Sequence, residues 1–407
     1  MKKLFQYSEE AFNTFNKAIE EIKKRKCGIR EICRKYGVPK TTVHEHLRGK
    51  TPKQHRKTEP APLLTFEGEE KIAEWVINIA KCGFPIKKQK LLETVRKIVE
   101  DSDAKKIFKN GIPGEKWYRN FMKRHPEISI RESEGVNKAR AIITEAMNRQ
   151  WFKELNTFLV ENDLLDIFDD PERVLNGDET GFALCPKTGK VLAPGGFKHV
   201  YNIKLGKEKE NITVLVVFNA AGKVCPPLVI FPYVRPPKVV VDSMPEDWVL
   251  VKSDTGWMQS SVFFEYVAND FDKWLENNKI KRPVILFIDG HKSHITLELS
   301  KICEEKKIVL YALPTNTTHM LQPADVSVFR PLKQEWKNTV KKWQSRLEDV
   351  NSTVNKTNFC ILLNETLKNT KMKKDIISGF RKFGLYPRDQ TKLITRNVFK
   401  TKGKTST

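Results

Sequence analysis

The chain has 407 residues, a formal net charge of +23 and a sequence pI near 9.6. This length allows two or three domains with substantial cores. So large a positive excess argues against an enzyme acting on a neutral small molecule. It favours a polyanionic partner, nucleic acid first. The alternative is a basic protein whose charge serves only its solubility.

Cysteine usage and apolar patterning argue against several other classes. The seven cysteines are scattered and form no CxxC pair. Such a set argues against a disulfide framework and a zinc module, and fits a reducing compartment. No apolar run reaches about 18 residues, and the N-terminal MKKLFQYSEE lacks a signal-peptide core. We therefore expect a soluble intracellular protein without a membrane partner.

Residues 1–57 are predicted to form a first helix-turn-helix domain. They hold 16 Lys or Arg against 6 acidic residues. In the turn segment YGVPK, Gly37 can end one helix and Pro39 can begin the next. A short helical hairpin with no DNA-binding role is the alternative. The second helix leaves polar and basic side chains available for phosphates and base edges, namely Lys40, Thr41, Thr42, His44 and Arg48.

A Pro-rich linker, TEPAPLL, leads to a second helical region, expected over residues 63–140. In its segment GEKWYRNFMKRHPEISIR, we interpret Trp117 and Phe121 as core residues rather than as a base-stacking platform. The basic residues of the segment face outward, either as solvated surface or as a second DNA contact. They are Lys116, Arg119, Lys123 and Arg124.

Strand and helix patterns alternate over residues 172–345 and predict an α/β layer domain. NITVLVVFNAAGKVCPPLVIFPYV is typical of two strands joined by a turn, and VILFIDGHKSH of a strand that ends at Asp289. Residues 346–407 are expected to form a basic, partly disordered tail with one apolar segment. The predicted fold class is thus multidomain, with all-α helix-turn-helix domains followed by an α/β domain.

Three aspartates of the α/β region stand where a predicted element begins or ends. Asp289 follows a buried strand, Asp178 follows VLNG, and Asp325 lies in LQPADVSVF. Ligands of α/β sheets bind outside the carboxyl ends of strands. Converging carboxylates repel one another unless a cation lies among them, and Mg²⁺ prefers oxygen ligands. Two such ions about 4 Å apart can activate a nucleophile and stabilise the leaving oxygen of a phosphodiester. Each aspartate alone is a weak indication, since Asp commonly caps a turn.

The segments around these aspartates resemble the three catalytic blocks of pogo/Tigger-type DDE transposases, the superfamily of centromere protein B and jerky-like proteins. The segments are NGDETGF, FIDGHKSH and LPTNTTHMLQPADVSVFRPLK. The N-terminal regions resemble the psq-type and centromere-protein-B-type helix-turn-helix domains of the same superfamily, so the resemblance covers residues 10 to about 388. It implies an RNase H-like domain over residues 172–345.

The resemblance also implies roles for individual residues. Asp178, Asp289 and Asp325 fall on the catalytic triad and would bind two Mg²⁺ or Mn²⁺ ions. Asp in the third place is usual for pogo-type members. His291 and His294 follow Asp289 and are candidates to position phosphate or water around the metal site, with polar loop contacts as the alternative.

Two functions are compatible with these features. One is a working transposase, which binds transposon ends and then cuts and joins DNA. The other is a host-retained nuclear protein that binds DNA and no longer cuts it. The intact triad favours the first. An RNA-binding protein also fits the charge, but the aromatic patches of common RNA modules are missing from the sequence. We expect double-stranded DNA as partner and the nucleus as location, and leave a homodimer open.

Overall fold

The computed structural model describes the chain in segments and divides it into two compact units, residues 1–69 and 70–407. The described segments are 9–24, 28–48, 64–101, 108, 113–130, 145–186, 210–233, 235–253, 256–289, 295–314, 322–346 and 353–389.

The first unit contains a helix-turn-helix closed on a small apolar core. Its helices are α1 (Glu9–Lys24), α2 (Ile29–Tyr36) and α3 (Lys40–Leu47). Gly37 ends α2 with φ of 63°, a left-handed conformation that glycine adopts without steric cost. Pro39, with φ of −65°, precedes the first turn of α3. The predicted turn is therefore confirmed. The buried core consists of Phe15, Ala18, Ile19, Ile32, Cys33, Val38 and Val43.

Helices also precede the sheet of the second unit. They are α4 (Phe66–Lys81), α5 (Lys88–Glu100), α6 (Glu115–Arg124) and α7 (Glu145–Glu161). In α6 the rings of Trp117 and Phe121 are buried and stack with their centroids 5.1 Å apart. Their predicted role as core residues is confirmed.

A six-stranded mixed sheet forms the centre of the second unit, in the order β4-β3-β2-β1-β5-β6. β2 is antiparallel to both β1 and β3, whereas β5 is parallel to β1 and β6. β4 extends the sheet parallel to β3. The antiparallel β3-β2-β1 meander with two parallel strands beside β1 agrees with the RNase H-like fold that the resemblance implies. The strands are β1 (Val174–Ala183), β2 (Asn211–Asn219), β3 (Leu228–Phe231), β4 (Val249–Lys252), β5 (Val284–Asp289) and β6 (Ile308–Leu313).

Helical segments cover both faces of this sheet. Val174 and Phe287 face a core that includes helical residues between 329 and 383, whereas Leu175 and Leu286 face a core that includes residues of α4 and helical residues between 262 and 303. The other helices of the unit are α8 (Lys238–Asp242), α9 (Ser260–Glu265), α10 (Asp272–Asn277), α11 (Leu297–Glu305), α12 (Phe329–Ser345), α13 (Lys356–Asn369) and α14 (Met372–Phe383). Shorter helical turns are the 3₁₀ turns Leu165–Asp169 and Pro171–Arg173 and the π-helical turns Tyr266–Phe271 and Ala324–Val328.

The C-terminal region differs from the tail expected over residues 346–407. Phe359 of α13 and Phe380 of α14 are both 0% exposed and belong to the core beneath the sheet. The expected boundary after residue 345 is therefore corrected: residues 353–389 form part of the α/β unit. The end of the expected disordered tail, residues 390–407, lies outside the described residues.

A buried arginine links the starts of β1 and β5. Arg173 is 2% exposed, and its Nε donates to the carbonyl oxygen of Pro283 at 2.9 Å. Its NH1 donates to Asp166 Oδ2 at 2.8 Å. The hydrogen bond from Arg173 holds the pKa of Asp166 below its usual range. This guanidinium connects the start of β1 to the start of β5. It therefore helps to fix the register of these two strands, and with it the positions of their carboxyl ends.

Candidate active site

The parallel pairing of β1 and β5 leads directly to two of the predicted aspartates. Asn176 lies opposite Phe287, the last pair of this register, and Asp178 and Asp289 each follow two residues beyond it. Side chains alternate along a strand, so these aspartates lie on the sheet face of Val174 and Phe287. Asp178 is 9% exposed, and Asp289 at the strand end is half-buried.

The third aspartate approaches the same face from a helical turn. Asp325 lies in the turn Ala324–Val328, whose Ala324 and Val328 are 0% exposed and pack in the core on that face. The Asp325 side chain is half-buried. The structure therefore brings Asp178, Asp289 and Asp325 to one side of the sheet.

The three aspartates do not close into a cluster. Within the described part of the chain, no three His, Cys, Asp or Glu side chains are grouped so that they could hold a metal ion. The carboxylate oxygens of the three aspartates are the donors that Mg²⁺ prefers. The donor set thus fits a divalent ion by its chemistry.

Asn176 joins the three segments that carry the aspartates, and sequence reasoning missed it. It is fully buried; its Nδ2 donates to the carbonyl oxygen of Phe287 at 2.9 Å, and its Oδ1 accepts from the backbone N–H of Ala324 at 3.1 Å. Asn176 lies two residues before Asp178, Phe287 two before Asp289, and Ala324 one before Asp325. The feature of the sequence that could have indicated its role is an amide side chain within VLNG, the otherwise apolar start of a strand.

A second buried amide reinforces the attachment of the helical turn to β1. Gln322 is 0% exposed, and its Nε2 donates to the carbonyl oxygen of Gly177 at 3.4 Å. The segment that precedes Asp325 is therefore fixed to the residue adjoining Asp178.

The structure does not describe the two histidines predicted near the site. His291 and His294 fall in residues 290–294, outside the described residues. Their predicted role in positioning phosphate or water stays a prediction.

The predicted DNA-binding residues lie on two helices, each with one buried side. In α3, Val43 is buried while Lys40, Thr41 and Arg48 are exposed and Thr42 and His44 are half-buried. In α6, Lys116, Arg119 and Lys123 are exposed and Arg124 is half-buried. Most of the side chains predicted to bind DNA are therefore exposed to solvent, and their role in DNA binding stays a prediction.

A further set of cations lies beside Asp325 and was not singled out from the sequence. A cleft of about 670 Å³ is lined at one end by Asp325 and along its length by side chains of α12. We call Arg330, Lys333 and Lys337, which line this cleft, the α12 stripe. The signal in the sequence was the spacing of three basic residues along a long helix after LQPAD.

Family models match three regions of the chain. Residues 13–55 match the Psq helix-turn-helix domain, residues 65–132 the Tc5 transposase DNA-binding domain, and residues 209–380 the DDE superfamily endonuclease. These matches define a transposase-like protein with helix-turn-helix DNA-binding domains and a DDE domain. Its relatives include pogo transposable elements and CENP-B homologues, in agreement with the resemblance noted in the sequence.

Curated relatives share these regions at low identity. The CENP-B homolog protein 2 of Schizosaccharomyces pombe is 26% identical over 66% of this chain and 50% of its own length. The human pogo transposable element with ZNF domain is 20% identical over 80% of this chain and 22% of its own length. A Cochliobolus lunatus protein named MFS-type transporter clz9 is 24% identical over 93% of this chain and 35% of its own length. The chain thus spans no more than half of these relatives.

Solved transposase structures align with most of the chain at low similarity. The Mos1 mariner paired end complex with Mn aligns with 93% of this chain and 95% of its own at 13% identity and a TM-score of 0.39. The Mos1 transposase paired-end complex with left transposon end aligns with 85% and 84% at 12% identity and a TM-score of 0.39.

Within the described residues, no helix is both long and apolar enough to traverse a membrane.

Proposed function

We propose that the chain is a DDE-type transposase that binds duplex DNA through its helix-turn-helix domains and cleaves and joins strands at Asp178, Asp289 and Asp325. The observation that carries this proposal is the shared sheet face of the three carboxylates, whose segments meet at the buried Asn176. A metal-dependent nuclease requires carboxylates placed around one site.

The proposed cofactors are two Mg²⁺ or Mn²⁺ ions, which when bound would activate a water or a 3′-hydroxyl and stabilise the leaving oxygen of the phosphodiester. The chain supplies carboxylate oxygens from two adjacent strands and one helical turn. Because Asp178 lies within β1 opposite Val216 of β2, its backbone is fixed by that neighbouring strand. Asp289 ends β5 and Asp325 lies in a turn, so adjustment of the site falls to these two residues.

The proposed DNA partner is a transposon end or a genomic site derived from one. The Psq and Tc5-type domains support it, as do the exposed cations of α3 and α6. Cations that neutralise phosphates release counterions, which supplies much of the affinity for DNA. A nuclear location follows from this partner. Binding to DNA as a homodimer is compatible with this proposal.

A second candidate is a domesticated DNA-binding protein without nuclease activity. It is favoured by the lack of a closed three-acid group among the described residues. In that case the helix-turn-helix domains would bind DNA as proposed, and the chain would not nick DNA with Mn²⁺.

The test compares melting curves of the full chain with Mn²⁺ and with chelator, for wild type and for Asp289→Asn. An ion that binds only the folded state raises its stability by mass action. We expect wild type to melt higher with Mn²⁺ and the variant to show no such rise. Without metal, the variant should be equally or slightly more stable, because one repelling charge is gone. Asp247→Asn, at an exposed aspartate elsewhere, is the control and should keep the Mn²⁺ response.

The second part of the test is a nicking assay on a supercoiled plasmid that carries the genomic DNA flanking the gene for this chain. Nicking by wild type with Mn²⁺, and its loss in Asp289→Asn, would establish the nuclease. A metal-induced rise without nicking would support metal binding and the domesticated candidate. If wild type shows no rise and Asp289→Asn is simply less stable, the three aspartates are structural and the nuclease proposal fails.

A further inference from the structure

The α12 stripe begins one helical turn beyond Asp325. α12 follows the turn Ala324–Val328 without a break, and Asp325 and the stripe line the same cleft. Residues three and four apart lie on one side of a helix, so Arg330, Lys333 and Lys337 form a single row. All three side chains are exposed.

The apolar side of α12, which adjoins this row, fixes the row in place. Leu332, Trp336 and Val340 are at most 2% exposed and pack in the core beneath the sheet. The indole Nε1 of Trp336 donates to the carbonyl oxygen of Ala183, the last residue of β1, at 3.0 Å. The helix is therefore anchored on the strand that carries Asp178, and its basic side is held outward.

The charge of the stripe is not neutralised locally. None of its three cations forms an ion pair with a carboxylate among the residues that the structure describes, although such pairs occur elsewhere in the unit, as between Lys356 and Glu210 at 2.6 Å. A row of cations that leads to a candidate acidic site suits a polyanion whose reactive group must reach that site.

We propose that the α12 stripe binds the phosphate backbone of the DNA strand next to the bond that is cut, as a contact separate from the helix-turn-helix domains. This inference rests on the proposed function, because it takes Asp178, Asp289 and Asp325 as the site of strand cleavage. At 1.5 Å per residue, Arg330 to Lys337 spans about 10 Å. One strand of B-DNA rises about 3.4 Å per phosphate, so the stripe faces about three phosphates. It would thus hold the strand while the helix-turn-helix domains select the site.

The test measures binding of the full chain to a random-sequence duplex across a salt series in chelator, where no cleavage occurs. The stripe variant carries Arg330→Gln, Lys333→Gln and Lys337→Gln. The control carries Lys273→Gln, Lys301→Gln and Lys368→Gln, which removes three exposed cations elsewhere in the same unit. Removal of one cation that binds a phosphate lowers the log–log salt slope by about 0.9, so we expect a reduction of about 2 to 3 in the stripe variant and little change in the control.

The outcomes separate this inference from the nuclease proposal. If wild type nicks plasmid, the stripe variant should lose nicking and keep its Mn²⁺-induced rise in melting temperature. If wild type never nicks but the slope still falls only in the stripe variant, the contact stands and the nuclease proposal fails. The inference is overturned by equal slopes in the stripe variant and wild type, by an equal fall in the control, or by a change seen with single-stranded RNA and not with duplex DNA.

Discussion

The backbone N–H of Ala312 donates a hydrogen bond to the carbonyl oxygen of Cys82, 2.9 Å away, and so attaches the end of α4 to the edge strand β6. The carbonyl oxygen of the same Ala312 accepts from the indole Nε1 of Trp151 in α7 at 3.0 Å. Both backbone groups of Ala312 are therefore used on the outer side of β6. The end of α4, within the Tc5-type region, and α7, which follows that region, are in this way attached to β6.

Gly83 makes this close approach of α4 and β6 feasible. Its φ is +87°, and a Cβ there would lie 2.7 Å from the Cβ of Ala312. We expect Gly83→Ala to lower the stability of the second unit by about 1–3 kcal/mol, through backbone strain and overlap. Thermal unfolding measures this, with Gly114→Ala as control, since a Cβ at Gly114 meets nothing within 4 Å. Equal melting temperatures of the two variants would show that the residues around Gly83 accommodate an added Cβ without loss of stability, and would contradict the prediction.

Asn176→Ala should weaken metal binding beyond its effect on stability. It leaves the carbonyl of Phe287 and the N–H of Ala324 without their partner, at about 1–3 kcal/mol for each buried group. Loss of a group that orients ligands typically costs 10- to 100-fold in metal affinity, so the Mn²⁺ concentration that gives half the thermal shift should rise by roughly that factor.

The matched control for that measurement is Asn219→Ala. Asn219 is equally buried, and its Oδ1 accepts from the N–H of Lys223 at 2.9 Å in the β2–β3 turn, where no candidate ligand is attached. It should lose stability and keep its Mn²⁺ midpoint. The same midpoint in both variants would reduce Asn176 to an ordinary structural residue.

Lys40→Ala with Arg48→Ala should weaken DNA binding by the full chain. Both side chains are exposed on α3, and the removal of each cation that binds a phosphate flattens the salt slope by about 0.9, so a reduction of up to about 2 is expected. Lys17→Ala with Lys24→Ala, on the exposed side of α1, removes the same charge and serves as the control. An unchanged affinity and slope in the α3 variant would contradict its assignment as the recognition helix.

Asp272 should contribute stability that depends on pH. Burial acts to raise the pKa of this carboxyl, but hydrogen bonds from Lys306 and Arg282 outweigh it and hold the pKa below its usual range. A carboxyl with a lowered folded-state pKa stabilises the fold above its unfolded pKa, and this stabilisation is lost as pH falls through the folded value. Asp272→Asn should therefore cost about 1–3 kcal/mol at neutral pH.

The measurement for this prediction is a pair of melting curves across a pH series. The gap between wild type and Asp272→Asn should narrow as the pH falls below about 4. Asp247→Asn, at an exposed aspartate, should show no such gap at any pH. A gap of constant size down to strongly acidic pH would mean that the ion pairs are not its cause.

Local features of the sequence were sufficient to predict part of this structure. The turn at Gly37 and Pro39 depends on the conformational preferences of those two residues, and the apolar run before Asp289 has the length of a buried strand. The NAAGK turn was likewise predicted, and the N–H of Asn219 donates to the carbonyl oxygen of Lys223 there at 2.9 Å. Each of these features is set within a few residues of chain.

The remainder depends on contacts between distant segments. Asn176 and Ala324 are 148 positions apart, so the sequence near either gives no sign of their hydrogen bond. The apolar side of α13 was visible in NFCILLNETLKN, but its burial against the sheet was not. The placement of the aspartates on one face likewise follows from strand register, whereas their identity as candidates came from the resemblance.

The packing of α14 against the sheet bears on how the chain can fold as it is synthesised. The ring of Phe380 meets that of Phe218 edge to face, with centroids 6.0 Å apart, across more than a third of the sequence. Domains rich in such distant contacts fold slowly, since the chain must close long loops before the contacts stabilise it. Until the last helices emerge from the ribosome, the face that carries the aspartates stays apolar and uncovered. Nascent chains of this protein should therefore be prone to aggregate or to bind chaperones until synthesis is nearly complete.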